Sequence, residues 1–122
     1  MKSEDNLSRK VTPEIIAKLE EIVGKNNVNT SEMDRMLYGH DLAPLPKEAG
    51  FAFKNCPDVI VRPSTVEQLS KIAALAFRTG VAIVPRGSST WGLGGSMPVV
   101  GGILLDMSSK MNKVHCVDKV NM

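Results

Sequence analysis

Aromatic residues are scarce: three Phe, one Tyr and one Trp make up 4% of 122 residues. With so few rings, and with Lys and Arg scattered around a net charge of +2, there is neither a stacking platform nor a basic stripe for nucleic acid. Cysteine is limited to Cys56 and Cys116, without CxxC spacing, so the pair reads as free thiols rather than a disulfide or a zinc knuckle. His115 adjoins Cys116, but neighbours on a strand face opposite ways and no other ligand cluster accompanies them, so no metal site is read. The longest mainly apolar run, Val99–Leu105, is far short of a membrane span. The N-terminal MKSEDNLSRK has no apolar core, which excludes a secretory signal and points to the cytoplasm. What is present, 43% apolar and 23% charged residues, is the balance of one globular domain.

The patterning falls into two parts. Thr12-Pro13 is a helix start, Ile15, Ile16, Leu19, Ile22 and Val23 recur at helical spacing, and Gly24 closes the turn. Ser31 with Asp34 resembles an acidic capping box and opens a short helix through Leu37. From His40 to Pro57, Pro44, Pro46 and Pro57 break any regular element, leaving a connector with Lys47, Glu48 and Lys54 in solvent. Beyond it, Val59-Ile60-Val61 is a buried strand ended by Arg62-Pro63. Ser64 and Glu67 form a capping box ahead of a helical stripe of Val66, Leu69, Ile72, Ala73, Ala76 and Phe77, stopped by Gly80. Val81–Val84 is a second strand, so the unit is βαβ with parallel strands and a right-handed crossover. Ile103–Leu105 is a third strand and Val114–Val117 a fourth, after which the chain stops without a closing element and reads as truncated.

Six of the ten glycines, Gly87, Gly92, Gly94, Gly95, Gly101 and Gly102, lie in one stretch after a parallel strand. Ligands of open α/β sheets bind at the carboxyl ends of strands. Curled backbone N–H groups there form an anion nest, and Ser88, Ser89 and Thr90 add hydroxyls with Arg86 at the rim. The familiar nucleotide fingerprints fail. Gly87 and Gly92 have Walker A spacing, but Leu93 and Gly94 stand where Lys and Ser/Thr are required. A GxGxxG begun at Gly92 would need glycine at Met97. From these residues alone, a flexible surface turn and a phosphate-binding loop both remain open.

The order of motifs resembles the FAD-binding domain of the vanillyl-alcohol oxidase/p-cresol methylhydroxylase (PCMH-type) family. The branch it looks most like contains the glycolate oxidase flavoprotein subunit and D-lactate dehydrogenases. The likeness begins at Tyr38-Gly39-His40-Asp41, similar to a Tyr-x-x-Asp of that branch. It runs through Pro57–Glu67, Gly80–Gly87, Thr90, Gly94–Ser96, Pro98, Gly101–Ser108 and Met111–Lys113. The implied fold is α+β with an α/β subdomain: residues 1–52 a helical segment and connector, 53–122 the first part of the flavin domain, incomplete at its C-terminus.

By the resemblance, Pro85, Arg86, Gly87, Ser88, Ser89 and Thr90 would wrap the FAD diphosphate, and Gly95 and Ser96 would line it further on. Neither His40 nor His115 lies in the loop, so the resemblance implies non-covalent FAD. Trp91 replaces a glycine of the family loop and would either pack beside the flavin or belong to the core. Asp106, Tyr38 and Asp41 read as structural residues, and the catalytic residues of the hydroxy-acid branch would lie beyond this chain. The implied activity is FAD-dependent oxidation of a small 2-hydroxy acid such as glycolate or D-lactate, by hydride transfer. Electrons would pass to an electron-transferring flavoprotein or an iron–sulfur subunit, with no nucleic acid and no membrane span. The alternatives are another PCMH-type flavin enzyme, such as an alditol-type oxidase or UDP-N-acetylenolpyruvoylglucosamine reductase, and a non-catalytic nucleotide-binding module.

Overall fold

The structure, a computed structural model, describes residues 9–42 and 54–121. Pro44, Pro46, Lys47 and Glu48 of the expected connector lie outside the described residues. Helix α1 (Pro13–Val23) starts where Thr12 Oγ1 accepts the Ile15 N–H and ends at Gly24, φ 85°. Its apolar spacing buries Ile15, Leu19 and Val23. A 3-10 turn (Lys25–Asn27) leads into a two-residue strand, β1 (Val28–Asn29), which the sequence pattern did not mark. Two residues show no periodicity, and β1 exists because it pairs antiparallel with the next strand.

Helix α2 (Glu32–Leu37) follows, but without the capping box expected of Ser31 and Asp34. Asn29 does that work: its Oδ1 accepts the Ser31 N–H and its Nδ2 donates to the Asp34 carboxylate, at 2.8 and 2.7 Å.

Strand β2 (Val59–Val61), helix α3 (Val66–Thr79), strand β3 (Ile83–Arg86) and strand β4 (Ile103–Asp106) complete the fold. The N-cap of α3 is Thr65, not Ser64: Thr65 Oγ1 accepts the Gln68 N–H, and Gln68 Oε1 accepts from Ser64 N–H and Oγ. The capping box is therefore Thr65 with Gln68, one residue on from Ser64 with Glu67. The buried face is correspondingly turned, to Ile72, Leu75 and Ala76, while Val66, Ala73 and Phe77 lie in solvent. Strand β3 begins two residues later than expected, because the Val81 N–H closes α3 by bonding Ala76 O. It also runs further, through Pro85, which an edge strand tolerates.

Sheet order is β1-β2-β4-β3, with β4 parallel to both β2 and β3. The βαβ strands are thus parallel to each other, but β4 sits between them. Val59, Ile60, Val61, Ile103 and Leu104 are fully buried, and the sheet shares one core with α1 and α3. Val114–Val117 forms no strand; Val114 and Val117 are exposed and no neighbour supplies the ladder a strand needs.

Candidate functional site

Parallel neighbours cannot be joined by a hairpin; the chain must travel back along the sheet. Between β3 and β4 that return is made by residues 87–102 without a helix, so the glycine-rich stretch is a crossover with two ends. Only the first end lies at the carboxyl ends of the strands. Gly101 and Gly102 stand at the opposite end, leading into β4, which separates them from the ligand end where the sequence pattern had grouped all six glycines. There the Asp58 carboxylate accepts the Gly102 N–H at 3.2 Å, and Gly102 O accepts the Asp58 N–H at 2.8 Å. Lys54 pairs with the same carboxylate. Asp58 was not singled out from sequence, where it reads as an ordinary turn residue before a strand.

At the first end, the loop doubles back on itself. Ser89 takes φ 55°, a left-handed conformation uncommon for serine, and its Oγ lies 2.6 Å from Ser96 Oγ. That bond brings Ser89, in the first half of the loop, against Ser96 in the returning half. Among the described residues, the N–H groups of Ser88, Ser89, Thr90, Gly95 and Ser96 meet no protein acceptor. A backbone with several free donors beside a left-handed residue has the character of an anion nest.

The glycines sharpen the point. Gly94, Gly101 and Gly102 have positive φ, which accounts for them within the chain. Gly87 and Gly95 have no positive φ, and no atom of the described residues lies within 4 Å of where a Cβ would be. Nothing in the fold asks for glycine at those two positions; a molecule approaching the backbone closely would.

Other expected residues have defined places. Pro85 is exposed in β3 opposite Leu105. The Arg86 guanidinium is turned into the protein: Nη1 donates to Tyr38 O at 3.0 Å and His40 O at 2.6 Å. Trp91 is 75% exposed, so it is not core, and it has no positive φ.

Beneath the loop lies Asp106, 1% exposed at the end of central strand β4. Tyr38 Oη donates to it at 2.9 Å, Arg62 Nε lies 3.4 Å away, and the hydroxyls and N–H groups of Ser108 and Ser109 complete its shell. Arg62 and Arg86 stand 5.9 and 5.3 Å from the Tyr38 ring centroid. Burial pushes the Asp106 carboxyl up, but the bonds from Ser109, Ser108 and Tyr38 outweigh it and hold the group below the usual carboxylate range. Asp58 is likewise held low: burial opposes, and the bonds from Lys54 and Gly102 prevail.

A carboxylate with a depressed folded pKa stabilises the fold above its unfolded pKa, about 3.9, and that stability is lost as pH falls through the folded value. Thermal melts should therefore be flat above about pH 5 and fall below about pH 4. In Asp106→Asn the acid-side fall should be shallower, at a lower plateau.

Among the described residues, no group of three or more His, Cys, Asp or Glu comes together, and no helix is long and apolar enough to cross a membrane.

A glycine-rich crossover with free donors at the carboxyl ends of parallel strands has the form of a phosphate-binding loop. The family model described as "FAD binding domain" matches residues 57–122, more than half of the chain, and the chain belongs to that family. Its cofactor is FAD, and the PCMH-type resemblance holds. The glycolate oxidase subunit GlcD of Bacillus subtilis is 29% identical over 112 residues, 92% of this chain and 22% of that protein. A D-lactate dehydrogenase of Anaerostipes hadrus is 30% identical over 112 residues, again 92% of this chain and 22% of that protein. Substrate-bound p-cresol methylhydroxylase shares the fold at a TM-score of 0.71 and 24% identity, over 92% of this chain and 22% of that one. The chain thus spans about a fifth of the length of the relatives it matches.

Proposed function

We propose that residues 85–96 hold the diphosphate of non-covalently bound FAD, in a protein that oxidises a small 2-hydroxy acid. The observation that carries the cofactor site is the pair Gly87 and Gly95, glycines with no reason inside the fold, flanking free N–H groups. Two relatives whose names specify glycolate or D-lactate support the substrate class. FAD, when bound, supplies the acceptor for hydride from the α-carbon of such a substrate. This chain's own part is to bind and orient. Ser88, Ser89 and Thr90 donate N–H and hydroxyl bonds to the diphosphate oxygens, and Gly95 and Ser96 close on it from the returning strand of the loop. Residues 1–52 are the segment that precedes the flavin domain, and 53–122 are its opening part. Electrons leave to an electron-transferring flavoprotein or an iron–sulfur subunit.

The test is anaerobic mixing of the FAD-loaded protein that carries this chain with D-lactate, with glycolate and with an alditol. Bleaching of the flavin by a hydroxy acid and not by the alditol is the expected result. Bleaching by the alditol alone would replace the substrate class, and FAD binding with no reduction by any of the three would remove the hydroxy-acid reading.

A further inference from the structure

The turn Tyr38–Asp41 is fastened to the glycine-rich loop twice, in opposite senses. From the root of the loop, Arg86 Nη1 reaches across to the carbonyls of Tyr38 and His40, at 3.0 and 2.6 Å, with its guanidinium 5.3 Å from the Tyr38 ring centroid. From the turn, the Asp41 carboxylate reaches back to the middle of the loop and accepts the Gly94 N–H at 2.8 Å. The turn itself is held from behind. Tyr38 Oη is bonded to buried Asp106, and Gly39 packs so closely on the Asn55 backbone that no side chain would fit.

These contacts act on the part of the loop that has least structure of its own. Residues 87–102 include no helix or strand, and ordering such a segment costs about 1–2 kcal/mol per residue in backbone entropy. Gly94 immediately precedes Gly95 and Ser96, and Ser96 meets Ser89 through the 2.6 Å hydroxyl contact. A bond that fixes Gly94 therefore fixes the approach of the loop's returning half to its first half.

We propose that Asp41 and the Arg86 side chain are positioning residues for the FAD diphosphate: they preset the two halves of the loop and do not touch the cofactor. This inference rests on the FAD reading above. It assigns to the turn that follows α2 a direct part in cofactor affinity. It also gives the Arg86 charge a task within the protein, where the pattern of residues had suggested a charge at the rim of the anion site.

The test measures FAD affinity, FAD-free thermal stability and amide hydrogen exchange in the full chain and its variants. Asp41→Ala should raise the FAD Kd about tenfold. It should speed exchange of the Gly94 amide and leave the FAD-free melting temperature within about 2 °C, the shift expected of a surface substitution. Asp41→Asn, whose amide oxygen still accepts the Gly94 N–H, should restore the Kd to within about threefold. Arg86→Gln should raise the Kd while leaving its dependence on salt concentration unchanged, because no charge facing the diphosphate is lost.

Unchanged Gly94 exchange in Asp41→Ala would overturn the clamp, and an unchanged Kd would overturn its role in positioning. A flattened salt dependence in Arg86→Gln would make Arg86 a diphosphate ligand and overturn its part. If Asp41→Ala does not fold, Asp41 is a structural residue and the proposal fails for it, with Arg86→Gln deciding the other half. Wild-type chain that protects Gly94 but shows no FAD affinity would sink the FAD reading itself, and is told apart by that combination.

Discussion

Replacing Gly102 by alanine is expected to destabilise the fold by about 2–5 kcal/mol, combining a left-handed backbone cost with overpacking against the segment before β3. Gly102 has φ 85°, and a Cβ there would overlap the Ala82 carbonyl oxygen and lie 3.0 Å from its carbon. The carbonyl cannot move aside, since Ala82 O accepts the Ile103 N–H at 2.8 Å and so ties the start of β4 to the segment before β3. Gly102 also exchanges two bonds with Asp58, whose carboxylate fixes the entry to β2. Chemical denaturation followed by far-UV circular dichroism measures the loss. A destabilisation of that size in a domain this small leaves little of the ordinary 5–15 kcal/mol, so much of the variant chain should be recovered unfolded. A shift below about 0.5 kcal/mol, the range of a neutral surface change, would contradict the packing described.

Gly87→Ala and Gly95→Ala are expected to behave in the opposite way. Neither position has positive φ or, among the described residues, a neighbour within 4 Å of an added Cβ, so alanine fits the fold. Less freedom in the unfolded chain should make each variant as stable as the parent or up to about 1 kcal/mol more stable. FAD affinity should nonetheless fall by about tenfold or more, the factor of 1.4 kcal/mol, because a methyl group there stands between the free N–H groups and the diphosphate. Isothermal titration with FAD, paired with thermal melts of the FAD-free protein, separates the two effects. Glycines in a single loop, substituted identically, should thus divide into one that holds the fold and two that admit the cofactor.

That division marks where sequence reading succeeded and where it stopped. Helices α1 and α3 were legible because apolar residues recur at helical spacing between clear caps, and β2 and β4 because unbroken β-branched and aliphatic runs are buried on both faces. The cap of α3 was misplaced by one residue because Ser64 and Thr65 are both good caps; the bond from Gln68 to Thr65 decides between them. Strand β1 and the insertion of β4 between β2 and β3 depend on pairing between distant segments, which no local pattern records. Val114–Val117 carries two β-branched residues, but among the described residues no strand pairs with it.

In the site, the order of motifs placed the loop, and Asp106 kept the structural part expected of it. What remained hidden was the use of each residue. Arg86 looks like a phosphate-facing charge until its bonds to the carbonyls of Tyr38 and His40 are seen. Gly102 looks equivalent to Gly87 until the crossover carries them to opposite ends of β4.

The most direct test is amide hydrogen exchange, read by NMR, of the purified chain with and without FAD. FAD should slow exchange at Ser88, Ser89, Thr90, Gly95 and Ser96, whose N–H groups have no acceptor among the described residues, and leave Gly102, already bonded to Asp58, unchanged. Binding of FAD with those five amides still exchanging freely, and protection appearing elsewhere, would contradict the assignment of this loop as the diphosphate site.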